Sequence, residues 1–318
     1  MLLYDEFVDE CKDRLQDYLK SQGEQVDVMY HSVRKINFQE EALLVRYKGD
    51  QIAPVVYMSG RYEDYLSGRE MSEIVKDIAR DVQEARKHQP DMLDLTAEMA
   101  KERLYLSVIN AEKNEELLNS VPYRKIEDLA CIAKFRLDAE SSVLVNEDLC
   151  RKLRMTSEEV LAIAERNMVK NGYQCEPLDL EIKRILKEQG VSDREIEEGM
   201  MKTQSSMMYV ASTANHMEGA AVIASREAMH DFYDKIGEPF YILPSSRHEV
   251  ILLPDRCGLE IADLAEMVKD VNRQVVDEKD VLSDHVYHFD GRQIERVDGI
   301  EKVKAFDNKV TKFHGKSR

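Results

Sequence analysis

The chain has no tryptophan, few prolines and glycines (7 and 13) and only five cysteines in 318 residues. So little proline and glycine beside 43% hydrophobic residues argues against long disorder and for a packed core. The cysteines, Cys11, Cys131, Cys150, Cys175 and Cys257, are far apart and odd in number. They suggest no disulfide framework, and none has zinc-finger spacing. No apolar run approaches the roughly 18 residues needed to span a bilayer. The opening MLLYDEFVDECKDRL reads as an acidic amphipathic helix, without the basic flank and unbroken apolar stretch of a signal peptide. The expectation is a cytoplasmic protein that makes no membrane contact.

Motifs with assigned chemistry are also missing. There is no Gly-rich phosphate loop, no GxSxG elbow and no HExxH, and the eight histidines form no tight cluster. No cofactor and no metal are therefore expected. Positive charge is short as well: 45 Lys and Arg face 62 Asp and Glu, a net charge of −17. That balance disfavours direct nucleic-acid binding, which relies on cations neutralising phosphates. The exception is the end, EKVKAFDNKVTKFHGKSR, with five Lys and one Arg against Glu301 and Asp307. It lacks apolar periodicity and is expected to be a mobile, dispensable tail.

What is present is a mixture of helical and strand periodicities. Leu3, Phe7, Cys11, Leu15 and Tyr18/Leu19 recur at helical spacing, as do Ile74, Val75, Ile78, Ala79 and Val82 between Met71 and Lys87. A further helix is predicted from about Asp91 to Arg103. Residues 26–33 alternate as a strand, and 42–47 and 52–57 form a hairpin around Gly49-Asp50. Pro54 belongs at a sheet edge or near a strand start. Strands are predicted at 104–109, 129–137 and 142–145, and helices at 147–153 and 157–169, the latter capped by Thr156 and Glu159. Residues 172–205 read as a polar helical connector. Beyond it come strands at 209–210, 221–223, 240–243 and 250–253, a helix over 226–236 and a closing helix over 259–275.

The order strand, turn, strand, cap, helix occurs at 129–153 and again at 208–236, with Asn146 and Ser225 as caps. This raises a possible duplicated ββα unit; chance similarity of a common connection is the rival explanation. The fold class is α+β: antiparallel hairpins packed on amphipathic helices. The expected divisions are 1–103, 104–171, the connector 172–205, 206–297 and the tail 298–318.

Several phrases are distinctive: INFQEEALLVRYKGDQIAPVVYMSGRYEDYLSG, VINAEKNEELL, ILPSSRHEVILLP and LSDHVY. In that order they resemble domain of unknown function 5688, an uncharacterised bacterial family, over residues from about 5 to about 290. The hairpin-helix-strand region is more faintly similar to domain of unknown function 1444. Neither resemblance implies an activity or a catalytic residue.

Two polar segments are candidates for a site. Ser245, Ser246, Arg247, His248 and Glu249 lie between apolar strands. They are either a hairpin turn with a structural ion pair or a site with His248 as base or ligand, Glu249 as its partner and Arg247 as an anion clamp. Strand alternation would put Arg247 and Glu249 on one face and His248 on the other. In 282–290, the same alternation would set His285 and Tyr287 against Asp284 and His288. Metal ligation by Asp284 and His288 with His248 is conceivable, but that spacing is not diagnostic. Asn110 to Asn114 could meet an anion, Tyr62 and Tyr65 are expected to pack on the sheet, and the methionines near 200–230 suit either core or a protein-binding groove. The leading expectation is a non-catalytic accessory protein that binds a protein partner or a small ligand. The alternative is a hydrolase-like or metal-dependent enzyme using the 245–249 cluster with Asp284 and His285. Oligomeric state is not legible.

Overall fold

The computed structural model describes all residues except 51–52, 88–95, 138–141, 201–206, 245 and 299–318. Asp298, expected to open the tail, is instead buried and bonded to His285; the rest of the predicted tail, the start of the predicted 91–103 helix and Ser245 lie outside the described residues. The fold is α+β, and among the described residues every strand pair is antiparallel, in three sheets.

The first sheet follows α1 (Tyr4–Ser21) and contains β1 (Val26–Lys35), β2 (Phe38–Tyr47) and β3 (Val55–Tyr57). Its helices α2 (Ser59–Leu66) and α3 (Met71–Lys87) complete the layer. The stripe Phe7, Cys11, Leu15 and Leu19 is buried against Ile74, Ile78 and Val82 of α3 and the inner face of the sheet. Leu3 does not join it; it precedes the helix and is exposed. Pro54 sits just before edge strand β3 and offers only its carbonyl, which accepts from Val45 N–H at 2.9 Å. Tyr62 and Tyr65 pack against the core that this sheet shares with α1, with ring centroids 5.2 and 5.1 Å from Phe7. The β1–β2 ribbon runs past this core to a tip at Ile36-Asn37, where Asn37 takes a positive φ of 68°. There Ile36 joins a small cluster with Ile109, Leu117 and Ile132 of the second sheet.

The second sheet is entered through α4 (Ala97–Arg103), capped by Thr96. It comprises β4 (Leu104–Asn110), then α5 (Glu115–Leu118), β5 (Tyr123–Ile126), β6 (Leu129–Arg136) and β7 (Ser142–Leu144), followed by α6 (Glu147–Leu153) and α7 (Ser157–Asn171). Central β6 is apolar on both faces because both are covered: Leu129, Cys131, Ala133 and Phe135 enter the main core, and Ala130 and Ile132 the small one. β5 and β7 share its outer flank, so β5 is an edge strand.

The third sheet holds six strands in the order β13-β12-β10-β11-β9-β8. It begins with β8 (Tyr173–Pro177), continues through α8 (Leu178–Glu188), α9 (Asp193–Met200) and β9 (Tyr209–Thr213), then α10 (Arg226–Ile236), β10 (Phe240–Leu243) and β11 (Val250–Pro254). After α11 (Ile261–Gln274) come β12 (Tyr287–Phe289) and β13 (Ile294–Arg296). One hydrophobic core runs from β4, β6 and α7 into α10, β10 and β11.

Four expectations are corrected here. Residues 172–205 are not wholly helical: 173–177 form edge strand β8, burying Cys175. Residues 221–223 are not a strand but part of a buried 3-10 turn, Gly219–Ala224. An unbroken apolar run has no period to separate the two conformations. The turn opens on Gly219, where only glycine fits, since a Cβ would lie 1.9 Å from Ser212 Oγ and 2.0 Å from His248 O. The stretches 129–153 and 208–236 therefore do not repeat one another. Finally, neither 246–249 nor 282–286 forms a strand, so the face assignments made for them do not hold.

Candidate functional site

The two predicted polar segments do lie side by side. Ser246 bridges Val281, Arg247 N–H donates to Asp280 O at 3.0 Å, and Ser283 N–H donates to Pro244 O at 3.1 Å. Their side chains, however, are turned to separate structural tasks. Arg247 Nε donates to Asp280 Oδ1 at 2.8 Å, and its Nη1 stands 3.6 Å from Glu218 Oε1. Glu218 is buried, and also accepts from Lys134 Nζ at 2.6 Å and Ser107 Oγ at 2.8 Å. Burial alone would raise the Glu218 carboxyl. The charges of Lys134 and Arg247, with hydrogen bonds from Lys134 and Ser107, outweigh it and hold the pKa below the ordinary carboxylate value. This network ties the second sheet to the third.

His248 and Glu249 stand at its margin. His248 is 3.4 Å from Asp280 Oδ2 with its side chain 45% exposed, and Ser212 Oγ donates to its carbonyl at 3.0 Å. Ser246 Oγ accepts from His248 N–H, the local turn bond that keeps this segment out of strand geometry. Glu249 takes no hydrogen bond among the described residues, and burial pushes its carboxyl up.

The second segment is equally committed. Asn272 Nδ2 donates to Asp284 Oδ1 at 2.6 Å, and His285 Nδ1 lies 2.8 Å from Asp298 Oδ2. Tyr287 donates to Asp128 Oδ1 at 2.6 Å, and Ser283 Oγ donates to Asp128 Oδ2 at 3.2 Å. Burial, then the Asp128 bond, raises the Tyr287 hydroxyl well above its usual pKa. Ser283 accepts from the His285 backbone N–H rather than meeting its ring, so no Ser-His relay is assembled. His288 pairs with Asp255 at 3.0 Å, apart from Asp284 and His248, which keep other partners. Among the described residues, no group of three or more His, Cys, Asp or Glu gathers to hold a metal ion. Asn110 and Asn114 bond Leu282 O and Asn37, so that loop is a structural joint.

Sequence reading missed a different feature, the groove where the second and third sheets present their edges, β5 and β13. Its centre is a cavity of about 500 Å³, a ligand-sized space. All four residues 124–127 line one wall; Arg292, Gln293 and Ile294 line another, with Met229 and Phe289 among the apolar residues. A second cavity of about 580 Å³ continues from it past the shared Lys125 and Glu127 to Asp128 and Arg296. Arg124 is tied down, donating to Glu165 and to Ala224 O. Lys125, Arg226 and Arg292 have no carboxylate within ion-pair distance among the described residues. The turn carrying Arg292 is pre-formed: Asp290 Oδ1 accepts from Gln293 and Arg292 N–H, which holds its carboxyl below the usual range. No motif marks these residues, because two distant hairpins and a helix start supply them.

The family comparison settles one matter. The chain belongs to a family of unknown function, DUF5688, whose model matches residues 4–291. No curated protein and no solved structure matches it. Among the described residues, no helix is long and apolar enough to cross a membrane.

Proposed function

We propose that this protein works by binding, without a reaction of its own, and that it takes an anionic partner in the groove between β5 and β13. One observation carries the reading: Lys125, Arg226 and Arg292, with no carboxylate within ion-pair distance of their charged groups among the described residues, surround one cavity with apolar residues in its lining, in a chain of net charge −17. A cation cluster left open inside an acidic body selects for negative charge and steers it to one place. The hydrolase-like or metal-dependent alternative has less support, since Arg247, Asp284 and His285 already hold protein partners. The reading includes a cytoplasmic setting, supported by five free cysteines, four of them buried.

Calorimetric titration with a capped hexaglutamate at low salt tests it. The wild type should bind, and the double variant Lys125→Glu/Arg226→Glu should bind at least tenfold more weakly with unchanged circular dichroism. Affinity should also fall as salt rises. Equal affinity in the two proteins would sink the reading.

A further inference from the structure

We infer that the groove's partner is an extended acidic segment of another protein, which adds as a strand between β5 and β13. This rests on the anion-binding reading and goes further by naming the backbone as the second half of the recognition.

Hydrogen-bond parity carries the argument. The β5–β6 hairpin has a two-residue loop, Glu127-Asp128, with Glu127 at a φ of 53°. Such a loop makes the flanking residues, Ile126 and Leu129, a hydrogen-bonded pair. Counting back along β5, Tyr123 and Lys125 turn their N–H and C=O away from β6, toward the groove. On the other side, Val297 N–H donates to Val286 O at 2.9 Å and Asp290 N–H to Gln293 O at 3.4 Å. These bonds bracket β12 and β13, so the intervening hydrogen-bonded pair is His288↔Glu295. Ile294 and Arg296 therefore present their N–H and C=O outward. No other backbone group among the described residues bonds these outward positions. Two strand edges thus line one groove with donors and acceptors unused, an arrangement proteins ordinarily blunt or cover.

Charge selects the occupant. The cavity bounded by 124–127 and 292–294 carries Lys125, Arg226 and Arg292 against Glu127, while the one continuing past it carries Glu112, Glu115 and Asp128 beside Arg296, so the acidic residues of the occupant belong over the first. Met229, Phe289 and Ile294 add apolar surface. Side chains of an inserted strand alternate between two faces, so a segment alternating carboxylates with apolar residues would match both features. The chain's own residues 299–318 begin three residues after β13 but carry five Lys and one Arg against Glu301 and Asp307, the same net sign as the groove centre. Nucleic acid offers phosphates but no amide edge to complete the two sheets.

The test uses the full-length protein and three labelled probes: a capped octapeptide alternating Val and Glu, the same peptide N-methylated at every Glu, and hexaglutamate. Fluorescence anisotropy should show the octapeptide binding at least tenfold more tightly than its N-methylated form. Lys125→Glu/Arg226→Glu, checked for fold by circular dichroism, should weaken all binding at least tenfold. Equal binding of the two octapeptides would overturn strand addition while leaving the anion reading in place. Failure of all three probes would overturn both. A wild-type dimer by light scattering that Lys125→Glu dissociates would also overturn the inference, because the occupant would then be a second copy.

Discussion

The loop at 246–249 and the groove between β5 and β13 are both rich in charge, yet they use it in opposite ways. Around the loop, Arg247 and Lys134 close on Glu218 and Asp280, and each charge has a buried or half-buried partner. Around the groove, Lys125, Arg226 and Arg292 have no carboxylate within ion-pair distance among the described residues. The sequence gives the opposite impression. Arg247-His248-Glu249 is compact and conspicuous, whereas the groove cations are separated by about a hundred residues and by sixty-six. A polar cluster between apolar strands is often the polar joint between two sheets, and the open charges stand where sheets end.

The comparison can be broken by substitution, beginning with the closed network. Lys134→Met removes the nearest cation from a buried carboxylate and should cost about 3 kcal/mol or more in urea unfolding. A loss under about 1 kcal/mol would show that Glu218 needs no partner and that the network is incidental. Gly219→Ala should cost about 1–3 kcal/mol, since the new methyl meets Ser212 and the His248 carbonyl and the joint must shift. A variant as stable as wild type would mean that the close approach of Ser212 and the His248 carbonyl to Gly219 can relax at no cost.

A pH series sharpens the same contrast with two carboxyls of opposite shift. The folded Glu218 pKa lies below its ordinary value of 4.5, so its contribution is present above that pH and is lost as pH falls through the lowered value. The folded Glu249 pKa is raised, so its contribution is present below about pH 4.5 and is lost as pH rises through the raised value. Glu249→Gln should therefore gain stability over wild type at pH 7, and the gain should vanish toward pH 4. A gain independent of pH would assign the effect to packing. The smallest effect belongs to the groove: Lys125→Glu/Arg226→Glu should stay within about 0.5 kcal/mol of wild type, because open charges hold nothing together. A larger loss would place those cations in the fold.

Much of the fold was legible in the sequence, for identifiable reasons. Helices α1, α3 and α11 announce themselves through amphipathic spacing, and α7 through the Thr156-Glu159 box. Strands β4 and β6 read from apolar runs bounded by polar turns. Residues 219–224 did not, because a segment buried on every side has no solvent face to imprint a period. Edge strand β8 was hidden by Gln174 and Glu176, which give a half-exposed strand a polar look. Of the candidate site, Arg247 and His285 were visible as residue types, but not Glu218 or Asp298 as their neighbours. Such pairs are set by tertiary contact across many residues. The groove was not legible at all, since it exists only where two sheet edges meet.

Hydrogen–deuterium exchange with and without the alternating Val-Glu octapeptide tests the central claim most directly. The account predicts peptide-dependent protection over 123–126 and 292–296, with exchange at 246–249 and 282–286 unchanged. Protection confined to 246–249 and 282–286, with the strand edges exchanging as before, would contradict it.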